Sequence, residues 1–444
     1  MSELGVREAR ILLRSLQRGT IRPVGTRFLH VGHKKWIDAQ IEELDEISED
    51  GGSVVHFVRG AYGEGKTHFL FYLAELARER GWASAHLECR QDQVELDRFD
   101  TVFPKIMQKL RLGSNEEDGG DKLPVEPAHQ LLDLWTEKLF STVGYVRDAA
   151  VGRPFEAEAR LFEWFQQNII RRNLASDLQT ILCAYPRAVL QDDYSAQQDI
   201  VGWLRGEKRT IHLPATLIAK PGQRVDAPGV SRRLVQPTQI KAVGVATSLD
   251  IFRGLLWVIK FCGYEGLLLA IDEVEHIAHL QKKRQERCLQ TLREFVDNID
   301  GDFGLKRSAI YFAATPTMFD SEQYFRSYDA LATRIEPVSD EINWRSPVIN
   351  LEKTPLTTRQ LREVGERIVE IHRIANGDLQ GFSDKELDQI VDAVSKSRYR
   401  IAKPRLLCRI VVDQLERART GANAEPADTL VQKAAQKIDK ESPR

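Results

Sequence analysis

Gly60-Ala61-Tyr62-Gly63-Glu64-Gly65-Lys66-Thr67 follows the pattern G-x-x-x-x-G-K-[ST], an arrangement suited to holding phosphate. Glycines let backbone amides turn toward an anion, and a helix beginning at the end of the loop presents its positive N-terminus to the same oxygens. Lys66 is placed to reach the outer phosphates. The Thr67 hydroxyl supplies one oxygen to Mg²⁺, which takes oxygen ligands jointly from protein, phosphate and water. His68, the next residue, is counted with the loop in the nucleotide-binding set.

A second group of oxygens comes from Asp272 and Glu273, which end the apolar string Leu267-Leu268-Leu269-Ala270-Ile271. Ligands of open α/β sheets bind beyond the carboxyl ends of strands, so Asp272 is expected near the metal and Glu273 near the terminal phosphate. Asp272 then holds Mg²⁺ through water, and Glu273 orients or deprotonates the attacking water. A third string, Tyr311-Phe312-Ala313-Ala314-Thr315-Pro316, offers Thr315 to that water or phosphate. The plainer reading is that Thr315 starts a turn before Pro316. The expected chemistry is hydrolysis of ATP to ADP and phosphate, with Mg²⁺.

These groups must be carried by strands. Apolar runs at residues 53–58, 85–89, 267–271 and 309–314, with a fifth at 348–351, lack strict alternation. Short runs of that kind separated by helical patterns fit a parallel sheet covered on both faces. Phe69, Leu73, Leu76 and Ala77 give the segment after the loop a helical period. About 175 residues separate the second strand from the third, where a crossover needs only a dozen or so, so the sheet is interrupted by an insertion. Residues 131–143 and 157–182 of it read as helical, with Trp135, Phe140, Leu161, Trp164 and Phe165 as core. Polar, Gly- and Pro-rich stretches at 114–122 and 220–239 read as surface loops.

After Leu351 the pattern is helical, with Leu361, Val364, Ile368 and Ile371 on one face and Leu387, Ile390, Val391 and Val394 on another. The expected organisation is a first part of the core at 1–99, a mainly helical insert at 100–244 and the second part of the core at 245–353. A helical lid at 354–419 and a weakly helical or frayed tail at 420–444 follow. The acidic run Glu42, Glu43, Asp45, Glu46, Glu49 and Asp50 reads as a solvated helix face.

A formal charge of −2 over 444 residues, with 42% hydrophobic and 29% charged residues, places the chain among ordinary globular proteins with no general basic excess for nucleic acid. Five scattered cysteines without CxxC spacing read as reduced thiols. Neither a signal peptide nor an apolar run of roughly 18 residues is evident, so a cytoplasmic location is expected.

A phosphate loop, an Asp-Glu strand, a polar strand end and a helical lid in this order resemble the AAA+ and STAND class of ATPases. The resemblance implies five parallel strands and a lid that closes over adenine, with Arg405 of Lys403-Pro404-Arg405 matching a phosphate-sensing arginine on the lid. It also implies an arginine donated to a neighbouring subunit's site, for which Arg334 fits best and Arg326 and Arg345 are runners-up, and hence a homo-oligomer. Val31 and Gly32 match the segment that related ATPases lay against adenine, although His33-Lys34-Lys35 replaces the usual acidic or arginine-bearing pattern after the glycine. The string from Arg59 to Leu70, with the long insert and short lid, more closely resembles the BREX ATP-binding (BrxD-like) family, associated with bacterial defence against bacteriophage.

What ATP would drive is less legible. Lys396, Arg398, Arg400, Lys403, Arg405 and Arg409 with Tyr399, and Arg224 with Arg232 and Arg233, could track DNA phosphates or be solvated faces. About 25 residues follow the lid, fewer than a winged-helix domain needs, which argues against a replication initiator. Two classes remain: a motor acting on DNA or a partner protein from the defence system, and a slow nucleotide-dependent switch that recruits a partner.

Overall fold

The computed structural model describes the chain apart from residues 1–3, 21, 24, 91–93, 114–125, 145–153, 171, 173, 220–237, 298–303, 338, 340, 379–380, 400, 423–424 and 442–444. Its strands are β1 (Ser53–Arg59), β2 (Ala83–Glu88), β3 (Leu110–Arg111), β4 (Thr210–Leu213), β5 (Thr238–Lys241), β6 (Leu267–Asp272), β7 (Ser308–Ala314) and β8 (Val348–Asn350). Six form one sheet in the order β3-β2-β6-β7-β1-β8, while β4 and β5 pair separately. The five strands expected from the apolar runs are parallel to their neighbours. The sixth, β3, adds two antiparallel residues at one edge, too few to leave a periodic signal in the sequence.

The missing alternation has a simple cause, because both faces of the sheet are covered. Val58, Leu268, Ala270, Tyr311 and Ile349 point into a core shared with the helices Lys34–Asp50 and Lys66–Glu79. Phe57, Leu269, Ile271, Ile310 and Phe312, one residue out of phase, point to the other side. That second side is covered jointly by the insertion and by later elements, with Phe325, and Phe295 of the helix Lys282–Asp297, packed against Phe57 and Phe312 respectively. Phe103, Leu139, Phe140, Ile181 and Trp203 belong to the same continuous cluster as the strand residues, so the insert packs as a layer of the core.

Within the insert, the helical reading of 131–143 corresponds to the helix Pro127–Thr142. The single stretch read at 157–182 is two helices, Pro154–Asn168 and Ser176–Leu190. Leu161, Phe165 and Ile169 keep one apolar phase, but Arg172 and Asn173 fall where its next core residue would lie. Trp164 is only partly buried, against Trp135 and Phe261.

The lid contains the helices Thr358–Asn376, Asp384–Lys396 and Lys403–Arg419, the first two opened by capping boxes from Thr357 with Gln360 and Ser383 with Glu386. Two further helices enter its core. Val6–Gln17, assigned from sequence to the ATPase core, contributes Ala9, Leu12, Leu13 and Leu16 to the lid, and Ala427–Glu441, expected as a weak tail, contributes Leu430, Val431 and Ile438. The chain then runs from the lid back to the core through residues 18–33. Glu43 also departs from expectation: it is buried and its Oε2 lies 2.8 Å from His56 Nε2, inside the core rather than on a solvated face.

Among the described residues no helix is long and apolar enough to cross a membrane. All five cysteines are free; Cys89 and Cys288 are buried, and Cys183, Cys262 and Cys408 partly so.

Candidate nucleotide site

The loop after β1 turns through Gly63 and Gly65, whose φ values are +88° and +104°, and Gly65 starts the helix Lys66–Glu79. Only glycine adopts that backbone at Gly65 without strain. Lys66 is buried, and its Nζ donates to the carbonyls of Gly60 at 2.9 Å and Ala61 at 3.5 Å. Among the described residues it makes no direct ion pair, so its ammonium is hydrogen-bonded to carbonyls, with the carboxylates of Asp272, Glu64 and Glu275 near enough to interact through charge. Burial, reinforced by the charge of Glu352, raises the Glu64 carboxyl above its ordinary value.

β6 brings Asp272 to the same place. Thr67 Oγ1 donates to its Oδ2 at 2.5 Å, and the amide of Glu273 donates to its Oδ1 at 2.8 Å. Burial alone would raise the Asp272 carboxyl, but His86, whose Nε2 lies 3.8 Å from Oδ2, together with Thr67 and Lys66, outweighs that and holds it below the ordinary value. Glu273 has φ +57°, a left-handed conformation that is uncommon away from glycine and concentrates at functional sites. Its carboxylate is gripped by Arg90, with Nε to Oε2 at 2.6 Å and Nη2 to Oε1 at 3.0 Å. Burial also raises Glu275, which lines the same cavity.

Arg405 reaches in from the lid helix Lys403–Arg419. Its guanidinium lies over the Tyr62 ring at 4.2 Å, its Nε is buried without a hydrogen-bond partner, and a Cβ on Gly63 would come within 2.7 Å of its Cδ. Thr315 sits at the end of β7, beside Gly60, whose amide donates to the Ala314 carbonyl at 3.4 Å. It opens the short helix Pro316–Asp320 without a side-chain cap. Arg334 is elsewhere. It ends the helix Asp329–Ile335, ion-pairs with Asp297 and lines a separate 640 Å³ cavity with Arg326. Arg345 is paired with Glu42 and Glu46 on the surface.

Tyr62 through His68 line a 330 Å³ cavity with Asp272, Glu273, Arg405 and, from the returning segment, Val31. Gly60, Ala61, Gly32 and Thr315 lie outside its lining. Its apolar lining, Leu29, Val31, Leu356, Val364 and Cys408, belongs to or packs against the lid core. Three histidines also line it: His30 stacks on Tyr72 at 3.8 Å and on His68 at 5.3 Å, and burial holds His30 at about 3 and both His33 and His68 at about 4, so all three are neutral near pH 7. Arg367 of the lid fixes the segment by donating to the His30 carbonyl at 2.7 Å.

Several members of the site lay outside the reading from sequence: Arg90, His86, His30 and Arg367. The position of Arg90, two residues beyond the end of β2, was available once that strand was placed, since neighbouring parallel strands bring their ends together; Glu88 pairs with Asp272 in register. Of the basic clusters, Arg405 turns into the cleft, Lys396 pairs with Asp392, and Lys403 donates to the Ser395 carbonyl. Arg400, Arg224, Arg232 and Arg233 lie outside the described residues.

A protein-family model described as "BREX system ATP-binding protein BrxC/D" matches residues 5–214 and 231–434. No curated protein matches the chain. Among solved structures, that of the Aeropyrum pernix ORC2 protein in ADPNP-ADP complexes is similar with a TM-score of 0.40 at 13% identity, covering 93% of this chain and 68% of that one.

Proposed function

The chain belongs to the BREX system ATP-binding protein BrxC/D family, and from that premise we propose that it binds ATP with Mg²⁺ and hydrolyses it, within a BREX-type anti-phage defence system, acting on DNA or on a partner protein. The observation that carries the reading is the enclosed Lys66 ammonium, hydrogen-bonded to carbonyls alone, beside the joined oxygens of Thr67 and Asp272. A buried ammonium with no directly bound anion gains from one, and a nucleotide's phosphates would supply it. Thr67 and the Asp272 carboxylate, which stays ionised, fit a hard divalent cation completed by phosphate and water. Bound there, Mg²⁺ would supply positive charge at the phosphate oxygens.

In this reading Glu273 takes the proton of the attacking water at a carboxylate oxygen, after parting from Arg90. Thr315 orients that water from the end of β7. Arg405 moves from the Tyr62 ring to the phosphates and so couples nucleotide to the lid. Arg334 serves the site of a neighbouring copy in a homo-oligomer. The second reading, a slow switch, is favoured by the bidentate Arg90–Glu273 pair, which holds the base in a satisfied state.

Steady-state ATP turnover of the full chain, with and without double-stranded DNA and with Glu273→Gln as the blank, separates the two. Large stimulation by DNA supports the motor; slow, unstimulated turnover with retained ATP binding supports the switch. Lys66→Ala is expected to abolish nucleotide binding, and unchanged binding in that variant would remove the basis of both.

A further inference from the structure

His33 occupies a position that no phosphate chemistry requires. It lines the cleft beside Gly32, which packs closely on Leu356, and both residues are left-handed, with φ +82° for Gly32 and +52° for His33. A histidine tolerates that conformation better than a bulky or branched residue, but still at a cost, and such strain gathers where a side chain must be aimed.

The ring is held by a short relay from the core. Trp36 Nε1 donates to Thr354 Oγ1 at 3.1 Å, and because an indole N–H can only donate, the Thr354 hydroxyl proton must go elsewhere. Two acceptors are in reach: His33 Nδ1 at 3.2 Å, and the Leu351 carbonyl at 3.5 Å, which already accepts the Thr354 amide at 3.1 Å. We place the hydroxyl's hydrogen bond on the shorter contact, to the otherwise unengaged Nδ1, which is then the acceptor. Neutral imidazole carries one N–H, so the proton then resides on Nε2. Among the described residues Nε2 has no partner. Burial keeps the ring neutral, at about 4, so it offers a single fixed donor without charge.

We propose that His33 is a specificity-determining residue that selects adenine over guanine, its Nε2–H donating to the base against the apolar lining of the cleft. The inference rests on the ATP reading of this cavity. Phosphates at Lys66 and Thr67 leave the apolar lining for the flat base, with the His30–Tyr72 stack nearby. On the Watson–Crick edge adenine N1 accepts a hydrogen bond, whereas guanine carries N1–H and opposes donor to donor. A site committed to one donor rejects the base that cannot accept it, because a buried polar group is then left unpaired. The relay is what makes the choice: a free imidazole could exchange tautomers and serve either base.

The test measures the affinities of ATP, GTP and inorganic tripolyphosphate for the full chain, for His33→Phe and for Thr354→Val. The second variant leaves His33 in place and removes the hydroxyl that sets its tautomer, along with the acceptor of Trp36 Nε1, so it covers the case in which His33→Phe is strained by its backbone and does not fold. Wild type should prefer ATP to GTP, and each folded variant should lose about tenfold of that preference while binding tripolyphosphate as before. A wild type that binds both nucleotides equally, or variants that keep the wild-type ratio, would overturn the assignment of His33 and leave the ATP site standing. If instead wild type binds no ATP, or Lys66→Ala binds it equally well, the ATP reading itself fails and this one with it.

Discussion

The Arg90–Glu273 pair places a restraint on the residue proposed as the base. A carboxylate accepting two N–H bonds from one guanidinium is held in one geometry, with both oxygens occupied. Both groups are partly exposed, so the pair is a restraint on position more than a source of stability. Arg90→Gln is therefore expected to raise basal ATP turnover several-fold, on the order of the loss of one charged hydrogen bond, with ATP affinity nearly unchanged. Turnover measured beside Glu273→Gln checks this. A fall to the level of that blank would mean that Arg90 aims the base instead of restraining it.

At the scale of elements, the helix Lys34–Asp50 is fixed to the sheet by a buried polar contact as well as by Trp36, Ile37, Leu44 and Ile47. His56 presents Nδ1 to the Ser346 carbonyl at 3.1 Å and Nε2 to Glu43 at 2.8 Å, and the ring stacks on Tyr311. Removing the carboxylate would leave a buried imidazole with half its hydrogen bonding lost. Glu43→Ala should cost about 3–5 kcal/mol in denaturant unfolding, whereas Glu42→Ala, which removes a pair with the exposed Arg345, should cost less than about 1 kcal/mol. Equal effects would show that the contact has no special weight. In sequence Glu43 is indistinguishable from its acidic neighbours, because helical phase places it at the margin of the apolar stripe and its partner lies on another element.

For the whole molecule, the lid encloses both ends of the described chain, so residues 18–33 are tied to the lid by the helix Val6–Gln17 and to the core by the helix Lys34–Asp50. The cleft lies under that segment, where a lid movement would change the distance from Arg405 to the phosphate loop. Arg334 belongs to this scale too, since its own chain's cleft is beyond its cavity. If it serves a neighbouring copy, Arg334→Ala lowers turnover by about 10³-fold, and mixing it with Lys66→Ala subunits restores part of the activity. A variant that merely loses the exposed Asp297 pair keeps its turnover.

What the sequence determined by itself was local: the phosphate loop between a strand and a helix, the Asp-Glu strand end, the five buried strands and the three lid helices. Each is written in consecutive residues, as a motif or as a period of apolar positions, so its signal survives without knowledge of neighbours. Tertiary structure decided the rest. That the first and last described helices join one lid core, that Arg90 meets Glu273, that Glu43 meets His56, and that Trp36 and His33 both meet Thr354 rests on residues 13 to more than 300 positions apart. Each depends on the order of strands and the facing of helices, which burial of the whole chain selects and no local spacing encodes.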